Sequence, residues 1–221
     1  MMPSAPLPAL AAETARLSLA LNEVTAWDTP TRCTPWDAAA LTAHITMALG
    51  RLDAMLDAPE PAAATVDAAG YYRPDERFST AVNDVRLDSA VAAAQAGGPA
   101  VAADFTATAR RVLARCANQP AARRVTTRHG DPMTLADFLT TRVVETAVHG
   151  IDLADALKQP RWTTPEAAAH VADLLLGDAG ALAGLGMDPV AFIAKATGRE
   201  TFTDAERALV ESRGVTWLAL G

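Results

Sequence analysis

Glu145 and His149 stand four residues apart, so on a helix their side chains project from one face one turn apart. A carboxylate and an imidazole at that spacing can chelate one divalent cation. Alone, Glu-x-x-x-His is a weak signal, because salt-bridged surface pairs share the spacing. At about 100° per residue, Arg142, Glu145, His149 and Asp152 fall within a narrow arc. One reading is a solvated stripe, since Val143, Ala147 and Ile151 lie opposite. The other is a buried polar line, since Leu135, Phe138, Leu153 and Ala156 lie on or beside the arc and leave the helix apolar nearly all round. Buried charges need a partner or a metal.

His44 sits among Ala40, Leu41, Met47 and Ala48 on another helical pattern. A histidine on an apolar face is usually a satisfied core residue, yet the small alanines leave room for a cation and a substrate. His44, Glu145 and His149 together make a two-His, one-carboxylate set drawn from two helices. Three protein ligands leave a coordination position open, as catalytic zinc sites do, and Fe(II) or another divalent ion suits the same donors. Arg51 and Arg142 lie near these residues on their helices; each reads first as a surface or ion-pairing residue and second as a substrate clamp. Cys33, just ahead of a helix, reads as structural before it reads as a redox thiol. His129 belongs to a turn and His170 to a surface helix, and neither is assigned to the site. The chain has no nucleophile elbow and no phosphate-binding glycine loop.

The elements that must hold these residues are helical. A first helix fits 8–25, with Leu10, Leu17, Leu19, Leu21 and Val24 as its stripe. The second, carrying His44, is expected to start with Thr34 as N-cap, Pro35 in the first helical position and Asp37 closing a capping box, and to run to about Leu56. A loop over 58–76 precedes a helix at 77–96, and Pro99 begins another to about Ala117 that could continue the third with a kink. Residues 120–133 are irregular, with Val125-Thr126-Thr127 the one strand-like piece. Thr134 with Asp137 caps the helix 135–157, which carries Glu145 and His149. Further helices open at Thr164-Pro165, Asp188-Pro189 and Thr203-x-x-Glu206, and Val215–Leu220 could form an edge strand. The expectation is a mainly α chain. An antiparallel four-helix bundle would occupy 1–157, with a small α(+β) C-terminal extension over 158–221.

Composition agrees. The 221 residues include 51 Ala and only 11 aromatics (5 Phe, 4 Trp, 2 Tyr), a balance that favours packed helices over strands. Net charge is −7, and no Lys/Arg run exceeds two, which argues against nucleic acid. No window of eighteen residues is free of polar groups and no secretory leader is visible, so neither a membrane span nor export is expected. Two cysteines without metal-type spacing suit a reducing, cytoplasmic setting. Oligomeric state is left open.

Thr31-Arg-Cys-Thr-Pro-Trp36-Asp37 followed by Leu41-x-x-His44 resembles the start of the metal-binding helix in mycothiol-dependent maleylpyruvate isomerase-like proteins, within the DinB-like four-helix-bundle superfamily. The second half of the resemblance is Thr134-Leu-x-Asp-Phe-Leu-x-Thr-Arg142-x-x-Glu145-x-x-x-His149-Gly-x-Asp152-Leu. It implies zinc on His44, Glu145 and His149. It also implies mycothiol as a co-substrate whose thiolate attacks a small electrophile, for isomerisation or S-transfer. The family's full isomerase has a separate C-terminal domain that helps complete its active site, and residues 158–221 do not match it recognisably. The reading from another class is a non-catalytic metal- or ligand-binding helical module.

Overall fold

A computed structural model describes residues 5–74, 80–178 and 180–218. Among these residues, eight α-helices and one short hairpin follow in order: α1 (Pro6–Asn22), α2 (Ala38–Asp57), α3 (Thr80–Ala94), α4 (Gly98–Ala117), β1 (Arg124–Thr126), β2 (Pro132–Thr134), α5 (Leu135–Ala156), α6 (Pro165–Leu176), α7 (Pro189–Ala196) and α8 (Asp204–Ser212). The protein is mainly α. Helices α1, α2, α4 and α5 form the bundle; α3 lies against α2, and α6 packs on α1 and α5.

Local chemistry sets most helix starts. Thr134, Thr164, Asp188 and Thr203 each accept a backbone N–H three residues on, and Thr203 with Glu206 completes a capping box. The start of α2 differs from the sequence expectation. Its N-cap is Asp37, which accepts the Ala40 N–H, and not Thr34. Residues 31–36 close a turn of their own: Trp36 N–H donates to the Cys33 carbonyl, and the Thr31 N–H and hydroxyl both donate to the Trp36 carbonyl. Those groups are committed to the turn, so the helical ladder begins after it. The Thr34–Pro35 peptide is cis.

Three further expectations change. Leu19 is 64% exposed and stands off the buried stripe of α1. Gly97, at φ 89°, separates α3 from α4, and both pack on α2. The start expected for the third helix at 77 lies outside the described residues. The strand-like piece at 125–127 pairs as β1 with β2, Val125 opposite Met133. Residues 215–218 form no strand; the Thr216 N–H donates to the Leu175 carbonyl, and 219–220 lie outside the described residues.

The core runs through the whole assembly, from Leu10, Leu41 and Leu49 to Val144, Ile151, Val171 and Phe192. Many core positions are alanine, which brings helix axes close and leaves space where larger side chains are missing. No helix among the described residues is long and apolar enough to cross a membrane.

Candidate metal centre

His44 projects from α2, and Glu145 and His149 from successive turns of α5. The packing of α2 on α5 brings all three together. Glu145 Oε2 lies 3.5 Å from the Nε2 of His44 and 3.5 Å from the Nε2 of His149. One ligand atom from each residue lies within 4.8 Å of the others. A tetrahedral zinc ion with bonds of about 2.0–2.1 Å separates its ligand atoms by about 3.4 Å, so the donor set fits such an ion in type and spacing.

The imidazoles are held from behind. Trp36 stacks on His44, with ring centroids 4.5 Å apart and planes at 27°, and its indole N–H donates to the Leu87 carbonyl of α3. The Nδ1 of His149 lies 3.0 Å from Asp152 Oδ2, which fixes the ring and leaves Nε2 facing Glu145. His44 Nδ1 is buried without a hydrogen-bond partner among the described residues. Burial pushes the His44 pKa down to about 4, so this ring is neutral at physiological pH. Burial acts the same way on His149, but hydrogen bonds with Asp152, Cys33 and Glu145 outweigh it and hold its pKa well above the usual value. For Glu145 burial opposes ionisation, and His149, His44 and Arg142 overcome it, so the carboxyl stays far below its ordinary range.

Cys33, His149 and Asp152 form a second group of close donors, with Cys33 Sγ 3.4 Å from Asp152 Oδ2. Arg199 occupies both oxygens of that carboxylate, at 2.9 and 2.7 Å. The second group therefore reads as outer support for His149.

The centre opens into a cavity of about 490 Å³. Among the described residues, six arginines line it (Arg32, Arg51, Arg86, Arg128, Arg142 and Arg199), and Glu145 is the one carboxylate in the lining. Arg142 is fully buried. It donates to the Ala48 carbonyl at 3.2 Å and lies over the Phe138 ring, so it is a core residue and not a surface one. Arg51 is half-buried and also faces the cavity, where burial and the charges of Arg128 and Arg142 push its pKa down to about 10. Arg51, Arg86 and Arg128 have no carboxylate partner among the described residues. A pocket built this way favours an anion.

The family model for the mycothiol maleylpyruvate isomerase N-terminal domain matches residues 8–154. The chain belongs to this family. Among solved structures, the mycothiol-dependent maleylpyruvate isomerase is similar at 17% identity and a TM-score of 0.47, covering 67% of this chain. This chain spans 59% of the length of that one. No curated protein matches significantly.

Within this family member, His44, Glu145 and His149 stand together where the motifs suggested. Arg142 and Arg51 face the same cavity, in keeping with their helical spacing from Glu145 and His44 and against the first reading of each as a surface or ion-pairing residue. His170 is buried and lies 3.0 Å from the Thr140 hydroxyl, so α6 turns it inward and away from the surface. His129 is part of the cavity rim, at the β1–β2 turn. Cys33 is beside His149, and a cysteine in the motif turn was the only sequence signal for that. Arg199 carried no signal at all.

Proposed function

We propose that this chain is a zinc-dependent enzyme that uses mycothiol for isomerisation or S-transfer on a small anionic electrophile, in the manner of maleylpyruvate isomerase. The single observation carrying this reading is the His44–Glu145–His149 cluster opening into an arginine-lined cavity. His44, Glu145 and His149 would hold the ion. When bound there, zinc lowers the pKa of a thiol from about 8.5 and so favours its thiolate at neutral pH.

The protein side chains divide the remaining work. With an ion bound, Asp152 would hold the Nδ1 proton of His149 while Nε2 gives up its own proton to take the ion. Arg51, Arg86 and Arg128 supply guanidinium groups that suit carboxylates; among the described residues none of the three has a carboxylate partner, and Arg128 gives only its Nε to His129 Nε2. Trp36 and Tyr71 give the cavity apolar walls that limit water around the reacting groups. In this reading 1–157 carries the centre, 158–221 is an extension that packs on it, and the protein works in the cytoplasm, where a reduced thiol is available.

The test is a titration of the zinc-loaded protein with mycothiol, followed by thiolate absorbance and proton release. Binding with ionisation at pH 7, lost in His44→Ala and His149→Ala, is the expected result. A thiol that neither binds nor ionises on the wild-type protein overturns the enzyme reading and leaves a metal-binding module.

A further inference from the structure

Arg199 belongs to the C-terminal segment, yet its guanidinium ends one residue away from the metal cluster. Helix α7 is anchored by Phe192, Ile193 and Ala194, all fully buried. The chain then turns back: Gly198 takes φ +74°, and the N–H groups of Arg199 and Glu200 both donate to the Ala194 carbonyl. That turn aims Arg199 at α5. Its Nε donates to Asp152 Oδ1 at 2.9 Å and its Nη2 to Asp152 Oδ2 at 2.7 Å, while Nη1 donates to the Thr197 carbonyl at 2.6 Å. Arg32, from the turn before α2, donates to the Gly198 carbonyl at 2.8 Å and ties the same loop down from the other side.

Asp152 has a fully buried side chain, and the oxygen that takes the Arg199 Nη2 also lies 3.0 Å from His149 Nδ1. One carboxylate is thus gripped by a planar fork on one side and grips an imidazole on the other. A carboxylate held by a bidentate guanidinium cannot rotate about its own bond, so the direction of its bond to His149 is fixed. The guanidinium also shares the negative charge, which keeps Asp152 an acceptor for the Nδ1 proton without stripping it from the ring.

We propose that Arg199 is a positioning residue for the metal centre, through which the C-terminal segment sets the orientation and the metal affinity of His149. This rests on the zinc reading above, and the experiment separates the two. Zinc affinity is measured by competition with a chromophoric chelator, and ligand geometry by the visible absorption of the cobalt(II)-substituted protein. Arg199→Met should weaken zinc binding about 10–100-fold, the usual cost of losing an outer partner of a ligating histidine, and should change the cobalt spectrum. Arg199→Lys, which restores a charge without the fork, should recover part of both.

The double variant Asp152→Asn with Arg199→Met avoids stranding a buried charge. It should fold and still bind zinc more weakly than wild type. Arg161→Gln cuts a different tie of the same segment, the bonds from Arg161 to Asp155 and Glu200, and should leave zinc affinity and spectrum unchanged. If wild type binds no zinc, the reading of the centre fails. If wild type binds zinc and the folded Arg199→Met and double variants match it in affinity and spectrum, or if Arg161→Gln weakens zinc equally, the role of Arg199 is overturned.

Discussion

Glu145 Oε2 lies 3.5 Å from His149 Nε2, one turn apart on α5, and each group holds the other in its charged form. A cation entering between them must take the place of the His149 proton. Each zinc bound at pH 7 should therefore release about one proton, and apparent affinity should rise about tenfold per pH unit below the His149 pKa. Calorimetry in buffers of different ionisation enthalpy reads the proton directly. His149→Ala should bind zinc at least 100-fold more weakly, and its proton release should fall. A pH-independent affinity would contradict this account.

Arg51 lines the cavity and has no carboxylate partner among the described residues. Arg51→Gln should raise the KM for an anionic electrophile about 10–100-fold, the worth of one charged hydrogen bond, while zinc content stays at the wild-type level. Binding of a small dicarboxylate to the zinc-loaded protein, measured by calorimetry, gives the same comparison without turnover. Equal affinities in the two proteins would remove Arg51 from substrate binding.

Glu13 of α1 accepts both the N–H and the hydroxyl of Thr164, the N-cap of α6, at 2.8 Å. Burial raises its pKa to about 7 despite those two bonds. The folded state therefore holds this proton more tightly than the unfolded chain. The contribution to stability is full below pH 4.5 and is lost as pH rises through about 7, amounting to about 3 kcal/mol. Glu13→Gln should flatten that slope in urea titrations between pH 5 and pH 8. An unchanged slope would assign the pH dependence elsewhere.

At Gly98 a Cβ would fall 2.0 Å from Trp27 Cγ, so the first turn of α4 lies directly on the indole ring. Gly98→Ala must displace that ring or the helix start. It should cost about 1–3 kcal/mol, visible as a lower urea midpoint with an unchanged m-value. A variant as stable as wild type would show that the ring moves freely.

Side chains that act on their own backbone were the most legible. Thr134, Thr164, Asp188 and Thr203 cap helices through partners three residues away, and sequence alone identifies such pairs. His44, Glu145 and His149 were readable because helical spacing and two motifs agree. The cap of α2 falls at Asp37 and not at Thr34 because residues 31–36 close a hydrogen-bonded turn on themselves, which a capping-box pattern does not reveal. Arg142 and His170 looked like surface residues, since the burial of a polar side chain depends on which helix lands on it. Arg199 lies 47 residues from its partner Asp152 at the end of a short helix, where no periodicity applies.

The six arginines of the cavity sit inside a protein whose net charge is −7. An anion approaching from bulk water meets repulsion first and attraction only at the mouth, within about one Debye length of 10 Å at 0.1 M salt. Encounter is therefore discouraged for charged molecules that merely drift past, and capture is reserved for those that reach the opening. Added salt relieves the outer repulsion more than it weakens the enclosed attraction, because buried charges are screened less. For such a molecule moderate salt acts as an accelerator of arrival, the reverse of its usual effect on a basic binding surface.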